Sequence, residues 1–178
     1  MKKLITIVII VVLSMQSFAQ TTIAHYSSGG GYTVDLSSSE KQTIWDTIAA
    51  RLNLRDCTLD SVGINDDDPL ALDSAAYIVF YASCSGKSYS IGFFLTKQMN
   101  HETTDYLLSS DDAEKAWSCQ SNGNCPQCHG KRNWFLGPVV GCECIGGDEN
   151  SFCQFSTSGH GLTYDALLGI LWLLLSYF

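Results

Sequence analysis

Residues 76–95, AYIVFYASCSGKSYSIGFFL, carry the strongest secondary-structure signal in the chain. The first part, 76–83, is rich in β-branched and aromatic residues, and residues 88–96 alternate between large apolar and other side chains. The four residues between them, CSGK at 84–87, form a short loop that contains glycine. This arrangement predicts a β-hairpin. Because the first strand is continuously apolar, we expect both of its faces to be covered.

An amphipathic helix is predicted upstream of this hairpin, over residues 39–54. Ser39 can cap the helix and Gln42 can reciprocate three residues later. Apolar residues then recur at every fourth position, with Trp45 widening the apolar stripe: Ile44, Ile48 and Leu52. The predicted fold class is therefore α+β, with the helix packed on a small antiparallel sheet or hairpin, in a single mature domain over residues 20–178.

Six of the eight cysteines lie in the segment 119–153, at Cys119, Cys125, Cys128, Cys142, Cys144 and Cys153. We predict that this segment is an irregular subdomain stapled by disulfides, because it is rich in Gly and Asn and has few apolar residues to form a core. Six cysteines allow fifteen pairings, so the sequence does not give their connectivity. Cys57 and Cys84 either form a fourth bridge or are two small buried side chains.

Zinc is the alternative ligand for the same segment. Cys125 and Cys128 form a CxxC knuckle, and Cys142 and Cys144 supply a second pair at about the distance that zinc ribbons use, although CEC is one residue short of CxxC. On this interpretation the four side chains hold zinc. On the disulfide interpretation no cofactor is expected.

Cysteines of this segment also resemble the metal-binding motifs of two known protein families. Cys125, Cys128 and Gly130 match the CxxCxG repeat of the DnaJ chaperone family, which implies zinc binding. The order of Cys125, Cys128, Cys142 and Cys153 resembles the ligand order of high-potential iron–sulfur proteins, which implies a buried four-iron cluster. A redox-active CxxC normally begins a helix in a βαβ frame, and no such pattern surrounds this one.

The first nineteen residues predict the compartment. Lys2 and Lys3 precede an almost wholly apolar run, and small residues end at Ala19, so residues 1–19 are expected to be a signal peptide cleaved before Gln20. We therefore expect a secreted, periplasmic or cell-envelope protein. The whole chain has a net charge of −8, which argues against nucleic acid as a partner.

Other segments carry weaker signals. Asp66 to Asp68 precede a proline and lack EF-hand spacing, which favours a solvated acidic turn over a calcium site. Residues 97–112 are polar and are expected to be irregular. Residues 163–178 are almost wholly apolar after a capping start, and predict a helix that is buried or that contacts a partner or a membrane surface.

No nucleophile elbow and no HExxH motif is present in the sequence, and the four histidines are dispersed. The sequence therefore favours a non-enzymatic interaction or structural protein, whose partner is an unknown protein or cell-envelope component. The predicted contact patch consists of Lys131, Arg132, Trp134 and Phe135. The alternative function is an extracytoplasmic zinc-binding or redox protein that uses the cysteine-rich segment.

Overall fold

The computed structural model describes residues 21–100, 103–108, 115–122, 124–133 and 137–157. The predicted signal peptide and the predicted C-terminal helix lie outside these ranges. No helix within them is long and apolar enough to cross a membrane. Their elements, in chain order, are β1 Thr21–Ser27, β2 Gly31–Val34, α1 Ser38–Arg51, β3 Cys57–Asn65, β4 Ala76–Cys84, β5 Lys87–Asn100, β6 Thr103–Leu108, β7 Trp117–Asn122, β8 Gln127–Arg132, β9 Val139–Ile145 and β10 Phe152–Thr157.

The α+β prediction is wrong, because the described chain is mostly β and has one helix. Strands β3, β4, β5, β6, β1 and β2 follow one another in a nearly closed antiparallel sheet. The Tyr32 hydroxyl on β2 donates to the Asp66 carbonyl just after β3, at 2.9 Å. The prediction that residues 97–112 are irregular is wrong for the described part of that range, which forms the end of β5 and all of β6, whereas residues 101, 102 and 109–112 lie outside the described residues.

Strand β5 organises the sheet because it is long enough to pair differently along its two edges. One edge pairs with β4 from Lys87 to Leu95. The other edge is divided, with β7 beside residues 89–92 and β6 beside residues 96–100. Strand β10 adds to β7, and β8 and β9 form a separate two-stranded sheet.

The predicted hairpin is confirmed as β4 and β5, with Gly86 at a φ of +75° in the turn. The prediction that both faces of its first strand are covered is also confirmed. Ile78 and Phe80 face a core that includes the buried side of α1. Tyr77 and Val79 face a second core with Trp117 and the cysteine-rich segment. The alternation along β4 thus builds two cores, one on each face of the strand.

The cap of helix α1 lies two residues before the predicted one, and the helix ends at Arg51 rather than at residue 54. Ser37 is the N-cap residue: its Oγ accepts from the Glu40 backbone N–H, and the Glu40 carboxylate accepts from the Ser37 N–H at 2.7 Å. Gln42, the predicted cap partner, instead donates to Asp46 at 2.8 Å. The predicted apolar stripe is largely buried against the sheet, and Trp45 is fully buried in the core as predicted.

Trp117 joins the sheet to the cysteine-rich segment. Its side chain is 1% exposed, and its indole ring lies against two glycines, Gly92 of β5 and Gly130 of β8. A Cβ atom at Gly92 would lie 2.4 Å from the ring, and one at Gly130 would lie 2.8 Å from it. Both glycines are therefore required for the close approach of the ring rather than for their backbone conformation.

We expect Gly92→Ala to lower the free energy of unfolding by about 1–3 kcal/mol, because the added methyl group overpacks the site of Trp117. Gly63→Ala is the matched control, since Gly63 lies in β3 with nothing within 4 Å of its Cβ position. It should leave stability unchanged or raise it by about 0.5 kcal/mol. Urea unfolding of both variants measures the difference, and equal effects would contradict this packing.

Candidate functional site

All eight cysteines are paired, which confirms the predicted disulfide bonding. Cys57 and Cys84, the pair that the sequence singled out for a fourth bridge, are bonded to each other across β3 and β4. The other three bridges lie in the cysteine-rich segment and are Cys119–Cys142, Cys125–Cys144 and Cys128–Cys153.

Two of these bridges connect the β8–β9 hairpin to the large sheet, and the third lies within the hairpin region. Cys119–Cys142 connects β7 to β9, and Cys128–Cys153 connects β8 to β10. Cys125–Cys144 ties the residues just before β8 to β9. The segment is therefore more regular than the sequence predicted, because four strands run through it. Each bridge closes a loop of about 20 to 30 residues and contributes about 3 kcal/mol in the chain-entropy model.

Two of the bridges lie against each other. The Sγ atoms of Cys125 and Cys153, which are not bonded, are 3.4 Å apart, and those of Cys125 and Cys128 are 3.8 Å apart. The sulfur atoms of Cys125, Cys144 and Cys153 all lie within 4.8 Å of one another. Cys128 is not one of these three, but its Sγ atom is bonded to that of Cys153 and contacts that of Cys125. We call these four residues the four-sulfur cluster (Cys125, Cys128, Cys144 and Cys153).

The structure groups the cysteines differently from the predicted zinc set. Three predicted ligands, Cys125, Cys128 and Cys144, belong to the four-sulfur cluster, but Cys142 is bonded to Cys119. Cys153 takes the fourth place. The sequence favoured Cys142 because it lies in the CEC pair. In the structure Cys153 joins the group instead, because it lies on β10, which runs beside the hairpin. Zinc binding itself stays a prediction.

The two described residues of the predicted contact patch differ in their exposure to solvent. Arg132 is largely buried: its guanidinium donates to the carbonyls of Ala75 and Gly137 and to Asn65, and its Nε lies 3.0 Å from Asp67. Lys131 is exposed. Trp134 and Phe135 lie outside the described residues, so the patch as a whole stays a prediction.

The sequence did not predict a buried ion pair just after the end of β3. Lys97 Nζ lies 2.8 Å from the Asp66 carboxylate, and the two side chains are 1% and 0% exposed. The ammonium also donates to the carbonyls of Asp68 and Ala71 at 2.7 Å each. The expected solvated acidic turn is therefore wrong for Asp66, because β5 brings a lysine to it from 31 residues away.

Tyr106 completes this site by donating its hydroxyl to Asp66 Oδ2 at 2.7 Å. Burial, together with this bond to a carboxylate, raises the pKa of Tyr106 well above its ordinary value. Burial and the nearby Asp66 raise the pKa of Tyr32 to about 12. Both hydroxyl groups therefore stay protonated at neutral pH, as hydrogen-bond donors to residue 66.

The ion pair holds the loop 66–74 in place, and this loop presents two large apolar side chains to solvent. Leu70 is 53% exposed and Leu72 is 57% exposed. Leu72 also lines a groove of about 530 Å³ with other apolar residues, among them Phe94 and Pro138. The Lys115 ammonium lies 4.2 Å above the Phe94 ring at this groove. We call Leu70, Leu72 and this groove the leucine surface.

His129 on β8 lies next to the four-sulfur cluster in sequence. Its ring stacks at 5.0 Å from that of Tyr81, and its Nε2 atom is buried with no hydrogen-bond partner among the described residues. Burial lowers the pKa of His129, against a smaller upward effect of Glu143, its register partner on β9. The ring is therefore neutral at pH 7 and unsuited to act as a cation there.

This lowered pKa predicts a pH dependence of stability. The unfolded chain takes up a proton at the ordinary histidine pKa of about 6.5, before the folded chain does, so stability falls as the pH drops below that value. His129→Phe keeps a ring beside Tyr81 and removes the titration. Urea unfolding from pH 7.5 to 5 should give a shallower acid loss for the variant than for the wild type. Parallel curves would contradict a neutral, buried His129.

The fold and the bridges define a disulfide-rich, mostly β protein. No protein-family model, no curated protein and no solved structure matches the chain. The four disulfides are consistent with an extracellular or periplasmic location.

Proposed function

We propose that this is an exported interaction or structural protein without catalytic activity, which acts in the periplasm, in the cell envelope or outside the cell. In this proposal the disulfides keep the surface rigid, and the leucine surface is where a partner binds. The predicted signal peptide and the density of disulfides support the location.

The observation that carries this proposal is the exposure of Leu70 and Leu72 on a loop whose backbone is held by the buried Lys97. A loop anchored by a buried lysine loses little conformational entropy when it binds, because its backbone is already ordered. Exposed leucines beside an apolar groove are typical of a protein contact and are otherwise unfavourable in water. The Lys97–Asp66 pair therefore orders the loop that carries the two leucines, and Lys97 also lines the adjoining groove.

The partner that fits this surface is a protein segment with apolar side chains, because Leu70 and Leu72 are exposed beside the groove. The charges around the surface are mixed: Asp73 is exposed on the same loop, Asp67 is paired with Arg132, and Lys115 lies at the groove. The salt bridge from Arg132 to Asp67 brings Arg132, one residue of the predicted contact patch, next to the loop. The neighbouring Lys131 is exposed and available for contact.

Photo-crosslinking in the producing cell tests the proposal. A photoreactive amino acid at position 72 is expected to give a discrete adduct with one partner, which mass spectrometry identifies. Leu70→Asp should abolish the adduct and weaken binding of the purified partner at least about tenfold, because it places a charge in the centre of the contact.

Val140→Asp is the matched control, because Val140 is 49% exposed but lies on β9, outside the leucine surface. This variant should keep the adduct and the affinity. If position 72 gives no discrete adduct, or if the adduct is unaffected by Leu70→Asp, the proposed contact surface is wrong.

The alternative function, zinc binding or redox chemistry in the cysteine-rich segment, rests on a separate observation, the contact between two disulfides in the four-sulfur cluster. It involves neither of the two leucines, so the crosslinking result does not affect it.

A further inference from the structure

The four-sulfur cluster has the dimensions of a metal site. A zinc–sulfur distance of about 2.3 Å places the sulfurs of a tetrahedral site about 3.8 Å apart. The unbonded contacts from Cys125 to Cys128 and to Cys153 are 3.8 and 3.4 Å. Opening the two disulfides lets the two bonded pairs of sulfur atoms move apart to the same spacing. The site also requires the sulfur of Cys128, which lies outside the group of three, to move toward that of Cys144.

We propose that the protein holds one zinc ion in the four-sulfur cluster when these two disulfides are reduced. The ligands are Cys125, Cys128, Cys144 and Cys153, so the site alternates between two disulfides and one tetrathiolate zinc centre. Four cysteine thiolates are a common ligand set of structural zinc sites, and the CxxC pair formed by Cys125 and Cys128 is the usual first half of such a set.

The chain around the cluster keeps the ligands in position after reduction. Cys128 and Cys144 are register partners on β8 and β9, and Cys153 lies on β10, which pairs with β7 along its whole length. Backbone pairing therefore holds three ligands independently of the sulfur bonds. Gly147 leaves room for the Cys144 sulfur, since a Cβ there would lie 2.5 Å from it.

Each of the two bridges joins one buried cysteine to one that is partly exposed. Cys125 and Cys128 are 5% and 0% exposed, whereas Cys144 and Cys153 are each partly exposed. A thiolate can therefore attack the outer sulfur of either bridge, and the buried cysteine is the leaving group. The inner cysteines become the first free thiolates of the site.

The reaction balances with a dithiol as the reductant. Each of the two bridges takes two electrons and two protons from one dithiol, which becomes a disulfide, and four cysteine thiols result. Binding of Zn²⁺ then displaces the four thiol protons, so zinc affinity should rise with pH.

Alkylation mapping of the wild-type protein tests the proposal without any substitution. The purified protein is reduced with a phosphine under anaerobic conditions, given one equivalent of Zn²⁺ and alkylated, and the modified cysteines are located by mass spectrometry. We expect one bound zinc per chain, with protection at the four cluster cysteines. Cys57, Cys84, Cys119 and Cys142 should react. Protection of Cys119 or Cys142, or no bound zinc, would overturn the proposal.

Cobalt titration of two double variants gives an independent answer. Cys144→Ser with Cys153→Ser should lower cobalt affinity more than about a hundredfold, since the loss of ligands exceeds the effect of outer-shell changes. Cys119→Ser with Cys142→Ser removes the neighbouring bridge and should leave the thiolate-to-cobalt absorption of the reduced protein unchanged. The reverse pattern would assign the metal to other cysteines and contradict the proposal.

Discussion

Lys97→Met is expected to lower the free energy of unfolding by about 3–5 kcal/mol. The substitution keeps most of the side-chain volume but leaves the Asp66 carboxylate, which is 0% exposed, without its counter-charge. It also removes the donor from the two loop carbonyls of Asp68 and Ala71. Urea unfolding at pH 7 measures the loss.

Two further variants separate the charge effect from a general effect of losing lysine. Lys87→Met is the matched control, because Lys87 is exposed at the start of β5, and it should change stability by less than about 0.5 kcal/mol. Adding Asp66→Asn to Lys97→Met should restore part of the loss, since it removes the uncompensated buried charge. A loss below about 1 kcal/mol in Lys97→Met would contradict a buried ion pair.

Trp117→Ala is expected to cost about 3–5 kcal/mol, because it leaves a cavity where the β8–β9 hairpin meets the sheet. The ring lies 6.0 Å from Tyr77 in an edge-on arrangement and contacts Gly92 and Gly130, so its loss removes packing on both sides of the junction. Thermal or urea unfolding gives the value.

Trp117→Phe should cost clearly less than the alanine variant. The indole N–H has no hydrogen-bond partner among the described residues, so phenylalanine loses volume but no hydrogen bond. Phe152→Ala is the control, because Phe152 is an aromatic residue on the neighbouring strand β10 and its side chain is 55% exposed. If Trp117→Ala and Phe152→Ala cost the same, Trp117 does not hold the hairpin to the sheet.

The hairpin at residues 76–95 was readable from the sequence because its signals are local: a continuous apolar strand, a glycine turn and an alternating strand. Helix α1 was predictable for the same reason, with an error of two residues at its N-cap and of three residues at its C-terminal end. The rest of the sheet was not. Strand β6 is stabilised mainly by pairing with β1 and β5, and its short sequence TTDYLL has no pattern that distinguishes it from a loop.

The candidate site was harder to predict, because it is formed by residues that are far apart in the sequence. Compartment and composition were enough to predict disulfides, but fifteen pairings were open for the six clustered cysteines. Cys153 joins the four-sulfur cluster only because β10 pairs with β7. Likewise, the three adjacent aspartates suggested solvent exposure, and only the course of β5 brings Lys97 to Asp66.

Disulfide mapping of the exported protein, digested at low pH without reductant, tests the central claim most directly. It should yield four bridges and no free thiol: Cys57–Cys84, Cys119–Cys142, Cys125–Cys144 and Cys128–Cys153. A different connectivity would contradict the way in which the β8–β9 hairpin is fastened to the sheet. Free thiols at Cys119 and Cys142 would contradict it equally.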